Sequence, residues 1–260
     1  MTVPRHQRAT LSVTETPDGA GYVLDGVPYG LPAPLPLGAA ELAARHAAAL
    51  DFRALVPGAR EEDRARQAAA LAGALARLAA GQPLDTAARA ALQADHPHAT
   101  GPVLIRTDGS ADKQSGSLSL GYLLGDRPYG AVLRGALGHE GLAEREAIRV
   151  ALTHARALGH TAFQVQSDHK FHVRRYDEAL IHRGRRKSPS LERLDALVDE
   201  LGPAVTFTYT PTLDTDAPHR LALHARALER LSRGLALSRA QAVALRRVHY
   251  ALKAGGKGLY

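Results

Sequence analysis

The sequence predicts an α/β protein, a mixed five-stranded sheet flanked by helices, with an N-terminal β-hairpin and a helical extension ahead of it. Three observations predict this. Residues 103–107, 117–124 and 128–133 are apolar runs separated at hairpin spacing, which reads as a three-stranded meander. Beyond residue 141, stretches of helical spacing alternate with short apolar runs, the pattern of crossover helices feeding parallel strands. Before residue 96, Ala and Leu with interspersed Arg and Glu dominate, which suits helices packed through small side chains.

Taken in order, residues 9–16 and 21–25 are β-like and flank Pro17-Asp18-Gly19, a hairpin turn signal, and the Pro-rich run 31–37 ends the hairpin. Residues 38–95 read as two or three short helices, one starting after Asp85 as N-cap. No fixed period runs through this Ala-rich segment, so its Ala-Ala pairs read as compositional bias. Residues 96–102 form a linker to the meander. Residues 141–158 carry Leu142, Ile148, Leu152 and Leu158 at helical spacing, with Gly159 as the stop. A fourth strand at 162–166, helices at 169–181 and 191–201, a fifth strand at 204–209, and helices at 218–233 and 238–253 complete the chain, with Gly255-Gly256 ending the last. The expected organisation is an N-terminal extension (1–98) to which the sequence assigns no chemistry, a catalytic α/β domain (101–230) and a C-terminal helix with tail (235–260).

Composition narrows the function. Thirty-three Lys and Arg against 26 Asp and Glu give +7, with a pI near 9.9, which favours a polyanionic partner. The absence of cysteine excludes disulfides, thiolate zinc sites and thiol chemistry, and fits a reducing cytoplasm. Residues 1–12 lack an apolar run behind their basic residues, and no stretch reaches the roughly 18 apolar residues of a membrane span. The expectation is a soluble, cytoplasmic monomer. Aromatics at 5% with no Trp are too sparse for a base-stacking platform. Thirteen histidines include no His-Glu-x-x-His, and Gly255-Gly256-Lys257-Gly258 lacks the strand-to-helix context of a phosphate loop.

Three carboxylates fall at the ends of expected elements: Asp108 after the first strand of the meander, Glu144 in the first turn of the next helix, and Asp168 after the fourth strand. Converging carboxylates repel unless protons or cations intervene, so such a cluster points to a hard divalent metal such as magnesium. Two such ions activate water and stabilise the leaving oxygen of a phosphodiester. Taken singly, each residue also has a structural reading, as a turn, a helix N-terminal charge or a cap.

Ile105-Arg106-Thr107-Asp108-Gly109-Ser110 resembles the Thr-Asp-Gly-Ser motif of the ribonuclease H family. Ala143-Glu144-Arg145-Glu146-Ala147 resembles its Ala-Glu-x-x-Ala helix, and Gln166-Ser167-Asp168-His169 its Thr-Asp-Ser strand end. Residues 191–197, the strand to Tyr209, and His219-Arg220-Leu221-Ala222 resemble the family's last helix, last strand and closing motif in the right order, over about residues 103–227. The resemblance implies a ribonuclease H-like sheet and endonucleolytic cleavage of the RNA strand of RNA/DNA hybrids with two Mg2+ ions, Mn2+ being an alternative. It implies that Asp108 bridges both ions while Glu144 and Asp168 complete the ligands. His219 stands where the family commonly has a fourth Asp, a position from which a His can ligate metal or take part in proton transfer and product release, and Asp214 or Asp216 offers an alternative acid from the preceding loop. The chain has no asparagine, so His139-Glu140-Gly141 replaces the family's Asn-rich turn. This departure leaves open a catalytically weak nucleic-acid binder and a DNA-directed nuclease of the same superfamily. Gly109 and Ser110, then Arg174, Arg175, Arg183, Arg185, Arg186 and Lys187 at the place of the family's basic protrusion, are the expected nucleic-acid contacts. Glu146 is expected to face solvent or to pair with a basic neighbour. Arg239, Arg246, Arg247, Lys253 and Lys257 read as an ordinary charged helix face.

Overall fold

The computed structural model describes residues 7–58, 61–96, 101–136, 138–177, 188–211 and 217–256. Its chain divides into two units, residues 1–95 with 226–259, and residues 96–225.

In the first unit β1 (Arg8–Thr16), β2 (Gly19–Leu24) and β3 (Val27–Pro32) form an antiparallel meander. Asp25 and Gly26, both at positive φ, make the β2–β3 turn in the geometry that matches strand twist. Helix α1 (Ala39–Ala49) leads to β4 (Ala54–Pro57), which lies parallel to β1, so the sheet order is β3-β2-β1-β4. Helices α2 (Glu62–Ala80) and α3 (Thr86–Asp95) follow, and the Asp85 carboxylate accepts the Ala88 amide at 2.8 Å as the expected N-cap. The core joins Tyr22, Leu24, Leu42 and Leu50 to Leu228, Leu231 and Leu245 from the far end of the sequence. Thus α8 (Arg239–Lys253), opened by a Ser238–Gln241 capping box, groups with this unit. Strands β3 and β4 replace an expected Pro-rich terminator and part of an expected helical run. Pro28 and Pro32 are tolerated because β3 is an edge strand.

In the second unit β5 (Gly101–Asp112), β6 (Ser117–Leu124) and β7 (Arg127–Arg134) form the expected meander. Helix α4 (Glu140–Leu158), β8 (His160–Ser167), α5 (Lys170–Asp177), α6 (Pro189–Leu201), β9 (Val205–Tyr209) and α7 (Ala217–Ser232) follow. Strand β8 runs parallel to β5 and β9 parallel to β8, giving the order β7-β6-β5-β8-β9. This mixed five-stranded sheet flanked by helices is the expected ribonuclease H-like architecture. Helix α4 buries Ala143, Ala147, Ile148, Ala151, Leu152, Ala155 and Leu158, a stripe at three- and four-residue spacing, and ends at Gly159 in the left-handed conformation. Ser188 caps α6 by accepting the Leu191 amide, with Pro189 in the first turn. The boundary between the units falls inside α7. No helix among the described residues is long and apolar enough to cross a membrane.

Candidate metal centre

Strand β5 carries Asp108, the strand beside it ends just before Asp168, and the first turns of α4 carry Glu144. Ligand oxygens of all three lie within 4.8 Å of one another. Asp108 and Glu144 are buried, at 6% and 7% exposure, and Asp168 is half-buried.

Two glycines create this approach. At Gly109 a Cβ would come within 2.2 Å of the Ala143 carbonyl carbon and 2.3 Å of the Glu144 amide nitrogen, so only glycine lets α4 lie this close to β5. Gly121, opposite Asp108 in the β5–β6 register, does the same for α7, where a Cβ would lie 2.1 Å from the Pro218 carbonyl oxygen. Helix α7 thereby delivers His219, whose Nδ1 sits 3.1 Å from Asp108 Oδ2. Glu140 adds a pin that the sequence did not signal: its carboxylate accepts the Ala111 amide at 2.9 Å, tying the start of α4 to β5.

The electrostatics are those of a site built for cations. Burial, then the charges of Asp108 and Asp168, push Glu144 up to about 10, although the Gly109 amide stabilises its charged form. Its Oε2 is buried without a hydrogen-bond partner, although a buried polar oxygen ordinarily has one. Three converging carboxyl groups, one of them with an orphaned oxygen, fit a hard divalent ion, which would complete that bond and let all three ionise together.

Beside the centre runs a groove of about 1000 Å3, lined by His139, Leu142, Arg145, His169, Phe171 and Arg193 among others. Arg145 donates to the hydroxyls of Ser188 and Ser190, at 3.0 and 2.6 Å, and among the described residues no carboxylate is hydrogen-bonded to its guanidinium. His172 is fully buried, bonds the Gly141 carbonyl at 3.0 Å and stacks on His169 at 4.2 Å. Burial holds it down at about 3, so it stays neutral.

Of the expected nucleic-acid contacts, Gly109 packs on α4, Ser110 is buried and Arg174 is exposed. Arg175 is buried at 3% exposure in an ion pair, its Nε 2.9 Å from Asp195, to which the Tyr176 hydroxyl also donates at 2.8 Å. Arg175 therefore faces the α5–α6 packing, and Tyr176 stacks on Phe207 of β9. Glu146 is buried between Arg149 and Arg193, at 2.6 and 3.1 Å, so pairing and not solvent is its environment. Asp214, Asp216, Arg183, Arg185, Arg186, Lys187 and Lys257 lie outside the described residues.

No protein-family model matches the chain, and no curated protein does. Among solved structures it is similar to LC11-RNase H1 in complex with RNA/DNA hybrid, at 21% identity and TM-score 0.35 over 42% of this chain and 85% of that one. RNase H1 from Halobacterium salinarum gives 22%, 0.35, 43% and 86% for the same quantities. The N-terminal RNase H domain of a Mycobacterium tuberculosis protein gives 20%, 0.41, 51% and 97%. At these identities the likeness concerns fold alone, and the chemistry rests on the residues described above.

Proposed function

We propose that the second unit is a divalent-metal-dependent endonuclease that hydrolyses the RNA strand of RNA/DNA hybrids. The observation that carries this is the convergence of Asp108, Glu144 and Asp168, with the buried Glu144 Oε2 lacking a partner. In this reading those three side chains hold Mg2+ or Mn2+, and the bound ions supply Lewis-acid stabilisation and water of lowered pKa. Glu144 would serve the ions as an ionised ligand, its proton released to solvent. His219, 40% exposed at its side chain and hydrogen-bonded to Asp108, shuttles a proton between the leaving 3′-oxygen and solvent. The products are a 3′-hydroxyl and a 5′-phosphate. The groove holds the duplex through Arg145, His139 and His169, and Arg174, exposed on α5, adds a backbone contact. These contacts reach backbone and 2′-hydroxyls, so sequence preference is low.

The test is magnesium-dependent cleavage of a labelled RNA/DNA hybrid, run beside duplex DNA and duplex RNA, with Asp108→Asn as control. Cleavage of the hybrid alone, lost in the variant, is the expected result. Cleavage of duplex DNA in its place, or a rate equal to that of Asp108→Asn, overturns the reading.

A further inference from the structure

The first unit repeats the second. Residues 21–30 read Gly-Tyr-Val-Leu-Asp-Gly-Val-Pro-Tyr-Gly and residues 121–130 Gly-Tyr-Leu-Leu-Gly-Asp-Arg-Pro-Tyr-Gly, six of ten identical. Tyr22 faces Tyr29 across β2–β3 as Tyr122 faces Tyr129 across β6–β7, and the rings stack at 5.3 Å and 27° against 5.4 Å and 23°. A histidine from the helix after each meander, His46 or His154, lies edge-on 4.6 Å from the second tyrosine ring and bonds the first tyrosine hydroxyl at 2.9 or 3.0 Å. A second histidine approaches the other hydroxyl in each case, His249 at 2.6 Å from Tyr29 and His96 at 3.4 Å from Tyr129.

The glycines agree. Gly21 backs onto Ala65 and Ala69 of α2, and Gly121 onto Pro218 and Ala222 of α7. Gly30 backs onto Ala68 and Ala72, and Gly130 onto Leu221 and Ala225. One constant sequence offset relates all four helix positions, so α2 is the counterpart of α7. The strand order β3-β2-β1-β4, with β4 parallel to β1, repeats β7-β6-β5-β8.

The match also shows what the first copy has lost. Thr14, opposite Gly21, holds the place of Asp108, opposite Gly121. Aligning His46 with His154 puts Pro36, ahead of α1, in the place of Glu144, and the α2–α7 offset puts Arg66 in that of His219. Among the described residues the first copy therefore lacks this metal centre, while the unit in which it is grouped with residues 226–259 holds most of the net positive charge. Residues 1–95 and 226–259 carry 17 Lys and Arg against 11 Asp and Glu, whereas residues 96–225 carry 16 against 15.

All of that excess lies after residue 225, where residues 226–259 carry 8 Lys and Arg against 1 Asp or Glu, four of the cations on α8. Its inner face, Leu245, Val248 and His249, is buried. Its outer face is a single stripe, Arg239, Val243, Arg246, Arg247, Tyr250 and Lys253, with Val243 at 41% and Tyr250 at 50% exposure. Arg246 and Lys253 are paired with Asp51 and Asp25. Among the described residues Arg239 and Arg247 have no ion-pair partner, and they stand two turns apart, about 12 Å along the axis.

We propose that the chain is a tandem duplication of one ribonuclease H-like unit, and that α8, grouped with the first copy, adds a second nucleic-acid-holding surface that grips duplex backbone through its outer face. Two unpaired guanidiniums with an exposed tyrosine beside them match a phosphate backbone, which rewards charge without demanding sequence. The assignment of a polyanionic duplex rests on the function proposed above, and the duplication does not.

The first experiment compares the full chain with Arg239→Glu/Arg247→Glu, measuring affinity for a long and a short RNA/DNA hybrid in EDTA over a salt series, and cleavage of the short hybrid in magnesium. The expected result is an affinity for the long hybrid about tenfold or more weaker, a log–log salt slope shallower by about 2, and unchanged cleavage of the short hybrid. Because binding is read in EDTA, a chain that grips the duplex but cuts nothing leaves this proposal standing while the nuclease reading falls. Unchanged affinity and slope overturn it, as does wild-type binding to phosphatidylserine vesicles in place of duplex. The second experiment replaces residues 21–30 with the sequence of 121–130, beside a control carrying the same ten residues shuffled. Cooperative unfolding within a few degrees of wild type supports duplication, and a Tm as low as the shuffled control overturns it.

Discussion

Gly109→Ala tests whether the metal centre depends on how closely α4 approaches β5. The added Cβ would lie 2.2 to 2.5 Å from the Ala143 carbonyl group and the Glu144 amide nitrogen, all backbone atoms that cannot rotate away. Restoring ordinary contact requires α4 to retreat by roughly 1 Å, an overpacking that costs about 1–3 kcal/mol. For a chain of this size that lowers Tm by about 3–10 °C. The same retreat carries Glu144 away from Asp108 and Asp168, and a misplacement of about 1 Å costs on the order of 100-fold in rate. Thermal unfolding and hybrid cleavage are measured side by side, with Gly130→Ala as control. There the nearest atom to a new Cβ is the Ala225 Cβ at 3.4 Å, and both quantities stay near wild type. A Gly109→Ala protein with wild-type Tm and wild-type cleavage would refute the reasoning.

The remaining predictions concern charge. Magnesium raises the Tm of the wild type but not of Asp108→Asn, as differential scanning fluorimetry with and without the metal will test; equal shifts in both proteins contradict the site. In the metal-free chain, burial and two neighbouring carboxylates raise Glu144 from 4.5 to about 10, so its contribution to stability is fully present below about 4.5 and is lost as pH rises towards about 10. Metal-free Tm therefore falls on the alkaline side, and Glu144→Gln flattens the profile; parallel profiles for the two proteins would show that Glu144 does not carry the effect. Arg175→Ala removes the buried guanidinium that Asp195 accepts beside Tyr176 and destabilises the fold by about 2–5 kcal/mol in chemical denaturation, whereas unchanged stability with weaker hybrid binding would assign Arg175 to the substrate.

The second unit was legible because its signals are local. The strand runs at 103–107 and 117–124, the glycine stop at 159 and the acids at element ends each follow from residues near in sequence. Strands β3 and β4 were not legible, since Pro28 and Pro32 mark a break unless the strand is known to be an edge, and four residues of β4 beside an Ala-rich helix carry no periodicity. The buried fate of Arg175 depends on Asp195, twenty residues away on another helix, and no local pattern announces it. Gly109 and Gly121 read as ordinary turn or strand glycines until the helices that press on them are placed. The duplication shows no period inside the Ala-rich segment, because the counterpart of that segment lies in the second unit and shares little of its sequence. It survives in a ten-residue hairpin and in contacts between side chains that are distant in sequence.

Nuclease chemistry in this chain requires that Asp108, Glu144 and Asp168 hold divalent cations together. Crystals grown with Mn2+ and examined at its anomalous absorption edge test this most directly. An anomalous peak within bonding distance of all three carboxylates, absent from Asp108→Asn crystals, is the predicted result. A clean map at that position with millimolar Mn2+ present, or the metal bound elsewhere, contradicts it.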